Sequence, residues 1–235
     1  MTLRYLVLFD IDGTLLWPDR AGRDSMRAAL ERVYGTAGPI DSFPFAGRTD
    51  SAIVRDLMAA AGIAEDIVQA RFDELAATLE DEMHTRLADG RHNIRACPGA
   101  LALVEALDAR DDVLLGLLTG NLEPTARIKL AAAGYDPDMF RVGAFGGESP
   151  VRADLVPLAV ERARALTGVD FRGKQIVVIG DTPEDVRCGE ALGVQTVAVL
   201  TGWNSREELE AASPDVIFDD LTDTGAVIAA ALASV

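Results

Sequence analysis

The sequence predicts an α/β fold: a Rossmann-like, three-layer core on a parallel sheet, interrupted by an inserted all-helical domain. Three observations carry this. Short apolar runs of strand length recur with helical patterns between most of them, an alternation that suits a parallel sheet covered on both faces. Residues 18–92 break the alternation, with amphipathic helical patterns and no convincing strand. Three of the apolar runs end in a polar residue, at Asp10, Thr119 and Asp181.

The first run, Tyr5–Phe9, leads into "DIDGTLLW". The insert follows, entered through "WPDRAG" and left through "DGRHNIRACPG", turn-rich crossings whose Gly and Pro suit hinges. Helices are expected within it at about 22–34, 50–61 and 64–88. The core then comprises residues 1–17 and 93–235. Its later strands are expected at 113–118, 175–179, 195–200 and Val216–Phe218, with a further short strand before Arg152. Leu155, Leu158, Ala159, Arg162 and Ala163 recur at helical spacing in the segment from 152 to 166. Thr182-Pro183-Glu184-Asp185 reads as a cap, a proline at the first helical position and acids in the first turn, with Gly193 closing that helix. A terminal helix is expected over about 221–232.

With 235 residues, 49% of them hydrophobic, the chain can bury one large core or a core and a smaller insert. A formal net charge of −16 repels phosphate backbones and anionic membrane faces. No nucleic acid and no membrane partner is expected. The two cysteines, Cys97 and Cys188, lie far apart and outside any metal or disulfide spacing, which suits a reducing cytoplasm. No run of about 18 apolar residues and no leader pattern is present, so secretion is not expected either.

Asp10, Thr119 and Asp181 all fall at the carboxyl ends of parallel strands, where open α/β sheets bind ligands. If Asp10, Asp12, Asp181 and Asp185 converge there, two unit charges about 4 Å apart repel by roughly 4 kcal/mol at an effective dielectric of 20. A cation or a shared proton must offset that. Oxygen donors favour Mg²⁺, which binds through one or two carboxylates, water and substrate oxygens. His84 and His92 both lie in the insert, which disfavours a transition metal.

"DIDGT", "LLTGN" and "GDTPEDV" together resemble three motifs of the haloacid dehalogenase-like superfamily, and the insert resembles its helical cap. The likeness spans essentially the whole chain and looks closest to the phosphoglycolate phosphatase-like and β-phosphoglucomutase-like branch. It implies that Asp10 is a nucleophile forming an aspartyl-phosphate and that Asp12 is the general acid and base. Thr119 would donate to a phosphoryl oxygen, with the amides of Gly120 and Asn121 adding donors at a helix start. Asp181 would hold Mg²⁺ directly, Asp185 would support it, and the metal set would include Asp10 and the main-chain carbonyl of Asp12. The fourth motif is usually a lysine. Here the matching position is Arg152 in "FGGESPVRADLVPLA", with Lys129 in "ARIKLAAAG" as the alternative; an arginine can supply the same charge.

Several of these residues also have a local explanation: Asp-Gly is a common turn, Asp185 suits a cap three residues after Thr182, and Thr119-Gly120-Asn121 suits a turn before a helix, whereas a carboxylate at Asp181 satisfies no local need. In the insert, "FAGRTD" places Arg48 and Thr49 before a helix. Arg48 is a candidate partner for a substrate carboxylate, while Thr49 or Asp50 also serves as an ordinary N-cap. Arg20 and Arg23 are further candidates.

Within the superfamily, Asp12 argues for phosphoryl transfer over dehalogenation, and an insert without lysine argues against Schiff-base phosphonate hydrolysis. The expected protein is a Mg²⁺-dependent phosphatase acting on a small phosphorylated metabolite, phosphoglycolate being one candidate, as a monomer or homodimer. A phosphomutase of the β-phosphoglucomutase type is the enzymatic alternative. A catalytically silent phosphate-binding protein is the alternative of another class.

Overall fold

The computed structural model describes residues 3–233. Strand β1 is Tyr5–Phe9 and is buried at every position. Alternate side chains go to opposite faces: Tyr5, Val7 and Phe9 join one apolar cluster, Leu6 and Leu8 another. That period-two division is why the run reads as unbroken hydrophobicity, since a strand with both faces covered has no solvent side.

Around β1 stand β4 (Val113–Thr119), β5 (Val142–Phe145), β6 (Ile176–Gly180), β7 (Gln195–Val199) and β8 (Val216–Phe218), in the order β5-β4-β1-β6-β7-β8. Every pairing is parallel. The chain runs outward from β1 through β4 to β5, then returns to the other side of β1 and runs outward through β6 to β8. The strand order therefore reverses between β1 and β6, the switch point where a doubly wound sheet opens a crevice. Helix α5 (Ala100–Asp108) packs on β4, and α10 (Thr224–Ala231) packs on α5 and β7; α7 (Leu155–Thr167) packs on β4 and β5. The result is the expected three-layer α/β core.

Between two-residue strands β2 (Leu16–Trp17) and β3 (Arg95–Ala96), which pair antiparallel, the chain forms α1 (Ala21–Tyr34), α2 (Asp50–Ala60), α3 (Glu65–Ala70) and α4 (Phe72–Ala88). These helices share their own apolar cluster, including Met26, Leu30, Ile53, Leu57, Leu75 and Leu79. The helix expected at 64–88 is two helices, broken at Arg71, whose φ is −115°. There the Arg71 guanidinium donates to the Val33 carbonyl and lies over the Tyr34 ring, which ties the break to the end of α1.

Three other boundaries differ from expectation. Residues Arg152–Asp154 form a 3-10 turn, with the α-helix starting at Leu155. The helix after Thr182, α8, spans Pro183–Cys188 and stops before Gly193; Gly189 intervenes, where a Cβ would strike Val194, and Gly193 instead ends a separate 3-10 turn. The expected terminal helix begins at Thr224, three residues late. Of the core assignment, residues 1, 2, 234 and 235 lie outside the described residues.

Candidate active site

Strand β1 delivers Asp10 to the switch point, where its amide donates to the Ile179 carbonyl of β6. Beyond it the chain turns sharply: the amides of Thr14, Leu15 and Leu16 all donate to the Ile11 carbonyl. The turn requires Gly13 at φ 94°, a region that disfavours residues with a Cβ. Asp10 and Asp12 are thus held on a rigid strand end with different neighbours.

Asp10 is 6% exposed and accepts from Arg152 Nη2 at 2.8 Å. The same guanidinium pairs with Asp185 and donates to the Leu118 carbonyl. Arg152 reaches this point because the 3-10 turn before α7 carries it inward. Burial lowers its basicity, but Asp185 and Asp10 outweigh that and hold it above its ordinary value. Burial raises Asp10 to about 7 against the pull of Arg152, with Asp185 and Asp12 adding to the rise.

Asp12 meets a different cation. Lys129 Nζ, on α6 (Glu123–Ala132), lies 2.9 and 2.7 Å from its two carboxylate oxygens, and Asn121 Nδ2 donates to it at 2.9 Å. Lys129 also donates to Asn121 Oδ1 at 2.6 Å and is 3% exposed. Of the two candidates for the basic position, Arg152 stands on Asp10 and Lys129 on Asp12.

Thr119 ends β4 fully buried, and its hydroxyl oxygen accepts from the Asn121 amide at 3.3 Å and from Asn121 Nδ2 at 2.8 Å. Among the described residues no protein acceptor takes the Thr119 proton, which leaves it for a ligand. The expectation of free amides at a helix start is modified: the Asn121 N–H is engaged by Thr119, and α6 begins only at Glu123.

Asp10, Asp181 and Asp185 each bring a carboxylate oxygen within 4.8 Å of the others, and all three are buried. Thr14 donates to Asp181 Oδ1 at 3.0 Å, while Oδ2 is buried with no hydrogen-bond partner. A Cβ at Gly13 or Gly202 would run into that carboxylate, so glycines line its side of the cradle. Burial, with Asp10 and Asp185 adding, raises Asp181 well above the usual carboxylate range. An orphaned buried oxygen beside two further carboxylates fits a hard divalent cation. Asp185 serves twice: one oxygen accepts from the Thr182 amide and hydroxyl in a capping box, the other faces Arg152. The Asp12 carboxylate stands apart from this triad, with Lys129.

The helical insert closes over these residues, leaving a cavity of about 380 Å³ lined by Asp10, Asp12, Arg152, Asn121 and Lys129 below and by α1, α2 and α4 above. The joint is hydrogen-bonded. The Asp50 amide donates to the Gly120 carbonyl at 2.7 Å, the Ser51 amide to the Gly146 carbonyl at 3.1 Å, and the Leu122 amide to Asp50 Oδ2 at 2.9 Å. A Cβ at Gly120 would strike the Arg48 carbonyl. Burial raises Asp50 to about 6, offset by Lys129 and by the Leu122 N–H.

Arg48 lines the cavity, but its guanidinium pairs with Asp56 and lies over the Phe43 ring. Thr49 is the N-cap of α2, its hydroxyl accepting from the Ala52 amide at 3.3 Å, and is not part of the cavity wall. Arg23 donates to the Ile40 and Phe43 carbonyls. Sequence reasoning missed Asp50 as a site residue, the Lys129–Asp12 pairing and Trp203, which lines the same cavity. Only the "TD" before a helix hinted at Asp50, and that pattern reads equally as a cap.

Fold and site together define an enzyme on a doubly wound sheet, with an acidic, cation-ready crevice at the switch point and a helical cover. The chain belongs to the haloacid dehalogenase-like hydrolase family, whose sequence model matches residues 7–190. It is 31% identical over 244 residues to the phosphoglycolate phosphatase of Rhodospirillum rubrum, covering 93% of this chain and 88% of that protein. With the phosphoglycolate phosphatase of Pseudomonas putida it shares 27% identity, over 94% of this chain and 78% of the relative. The crystal structure of a hydrolase from Pseudomonas syringae has the same fold at a TM-score of 0.65 and 21% identity, over 94% and 95% of the two chains. The protein is a hydrolase of the phosphatase kind within this family. Among the described residues, no helix is long and apolar enough to cross a membrane.

Proposed function

We propose that the protein is a Mg²⁺-dependent phosphatase that hydrolyses a small phosphate monoester through an aspartyl-phosphate on Asp10, with residues 18–92 as the cap over a core of residues 1–17 and 93–235. One observation carries the reading: the two carboxylates of "DID" take different cations, Arg152 on Asp10 and Lys129 on Asp12. Two carboxylates in different environments are what a nucleophile and a proton carrier need.

In this mechanism an Asp10 oxygen attacks phosphorus as the ester P–O bond breaks. The departing oxygen takes a proton from Asp12. Water then attacks the phosphoaspartate and gives its proton to Asp12, releasing phosphate and restoring Asp10. Arg152 and the Thr119 hydroxyl face the transferring group and stabilise its charge. Asp10, Asp181 and Asp185, with the Asp12 main-chain carbonyl, would hold Mg²⁺, which when bound supplies charge neutralisation for the carboxylates and the phosphoryl oxygens. The closed cap excludes water from the first displacement. A cytoplasmic setting belongs to the same reading, as both cysteines are buried and unbridged.

Phosphate release from a panel of monoesters, with and without Mg²⁺, tests this. Release that needs Mg²⁺ and is abolished by Asp10→Asn is expected; unchanged release by Asp10→Asn sinks the nucleophile. Transfer to an added sugar phosphate in preference to water would point to the phosphomutase instead.

A further inference from the structure

Above Asp10 the cavity changes character. Its cap-side wall presents Met26 from α1, Phe45, Ile53 from α2, and Leu79 and Met83 from α4, with Trp203 of the core also lining it. Trp203 is 63% exposed, the most of any large hydrophobic side chain among the described residues. An indole left open against a cavity is a surface that gains by being covered.

Of the cations on this wall, all but Arg20 are already engaged. Arg23 is held by two carbonyls and lies over the Phe45 ring at 4.1 Å, Arg48 is paired with Asp56, and Lys129 with Asp12. Arg20 has a largely exposed side chain, 68%, 4.0 Å from Asp24. The anions Asp12 and Asp50 face the same space. A leaving group with its own carboxylate would meet two carboxylates, and would pair with the exposed Arg20 or have to take a cation from an existing partner. An apolar one would meet the half-buried Phe45 ring and the Trp203 indole, and the little that Met26, Ile53, Leu79 and Met83, each at most 2% exposed, leave uncovered. The volume of about 380 Å³ falls in the range, about 300–1,000 Å³, of pockets that enclose organic ligands larger than a two-carbon acid.

We propose that the substrate is a phosphate monoester of an apolar, branched or aromatic alcohol. This rests on the phosphatase reading above. The P–O bond to the alcohol breaks, the alcohol oxygen takes the Asp12 proton, and a neutral, largely apolar product leaves past Trp203.

The test compares ethyl, 3-methylbutyl and 2-phenylethyl phosphates, whose leaving groups are of similar acidity, with phosphoglycolate, all with Mg²⁺. Rising kcat/KM along the series is expected, with 2-phenylethyl phosphate at least about tenfold above both ethyl phosphate and phosphoglycolate, equal to about 1.4 kcal/mol. A flat series, or phosphoglycolate as the better substrate, overturns the proposal and leaves the phosphatase intact. Trp203→Ala, at an exposed position, should reduce the 2-phenylethyl-to-ethyl ratio of kcat/KM about threefold or more; an unchanged ratio removes Trp203 from the wall. Calorimetric binding of 2-phenylethylphosphonate against phosphonoacetate reads the pocket without turnover. Hydrolysis of none of the esters would sink the phosphatase reading and this proposal with it; tighter phosphonoacetate binding with hydrolysis intact would overturn this proposal alone.

Discussion

Lys129 Nζ bridges Asp12 across 117 residues of chain, within 2.9 Å of both carboxylate oxygens, and does so from a position only 3% exposed. The ammonium is no surface decoration: it fixes where the second carboxylate of "DID" points. Lys129→Met keeps the length of the side chain and removes the charge. We expect kcat to fall about 10- to 100-fold with KM changed less than about threefold, because a small misplacement of a proton-transferring group costs about that much. Steady-state kinetics on a good substrate check this; a fall confined to KM would assign Lys129 to binding instead.

Asp181→Asn tests the cradle. The substitution keeps the shape and removes one of three buried carboxylates, so the metal-free protein should become more stable, by about 2–4 °C in Tm for each kcal/mol gained. The same variant should lose the Mg²⁺-induced rise, which for the parent reaches about 2.7 kcal/mol at a hundred times the Kd. Thermal melts with and without Mg²⁺ read both; a variant still stabilised like the parent would remove Asp181 from the metal set.

Asp50 predicts a pH dependence. Burial raises it from 3.8 to about 6, so between those values the folded chain binds a proton that the unfolded chain does not. The folded state then binds more protons, and stability rises as pH falls through 6 and is lost as pH rises again. The rise from 3.8 to about 6 is worth at most about 3 kcal/mol, fully present only below pH 3.8. Between pH 7.5 and 5, Asp50→Asn should gain about 1–1.5 kcal/mol less than the parent in urea unfolding. Equal gains would show that Asp50 does not titrate there.

Gly120→Ala places a Cβ against the Arg48 carbonyl at the joint. The hydrogen bonds from Asp50 and Ser51 to the core should open, seen as faster amide exchange at both residues, and activity should fall about 100-fold. Parent-like protection would show that the joint tolerates the methyl group.

What was legible in the sequence follows from burial. β1, β4, β6 and β7 are covered on both faces and announce themselves as apolar runs, while β2 and β3, two residues each, leave no such mark. Asp10 and Asp181 could be placed because a charge ending a buried strand has no local use. The partners of Asp12 and Asp50 could not, because Lys129 and Leu122 lie 117 and 72 residues away and only the folded chain joins them. Arg71 breaks a continuous helical pattern for the same reason, being drawn to Val33.

The joint at Asp50 and Gly120 also bears on how such a chain can be rebuilt. A designer exchanging the cover for another would look to the crossings at β2 and β3, where the chain enters and leaves it. Yet the cover also rests on the carbonyls of Gly120 and Gly146, and Gly120 is the residue next to Thr119. A transplanted cover that brought no backbone amides to those carbonyls would disturb the very loop that the proposed mechanism sets against the phosphoryl group. The graft boundary is therefore set on the core, by residues that belong to no hinge.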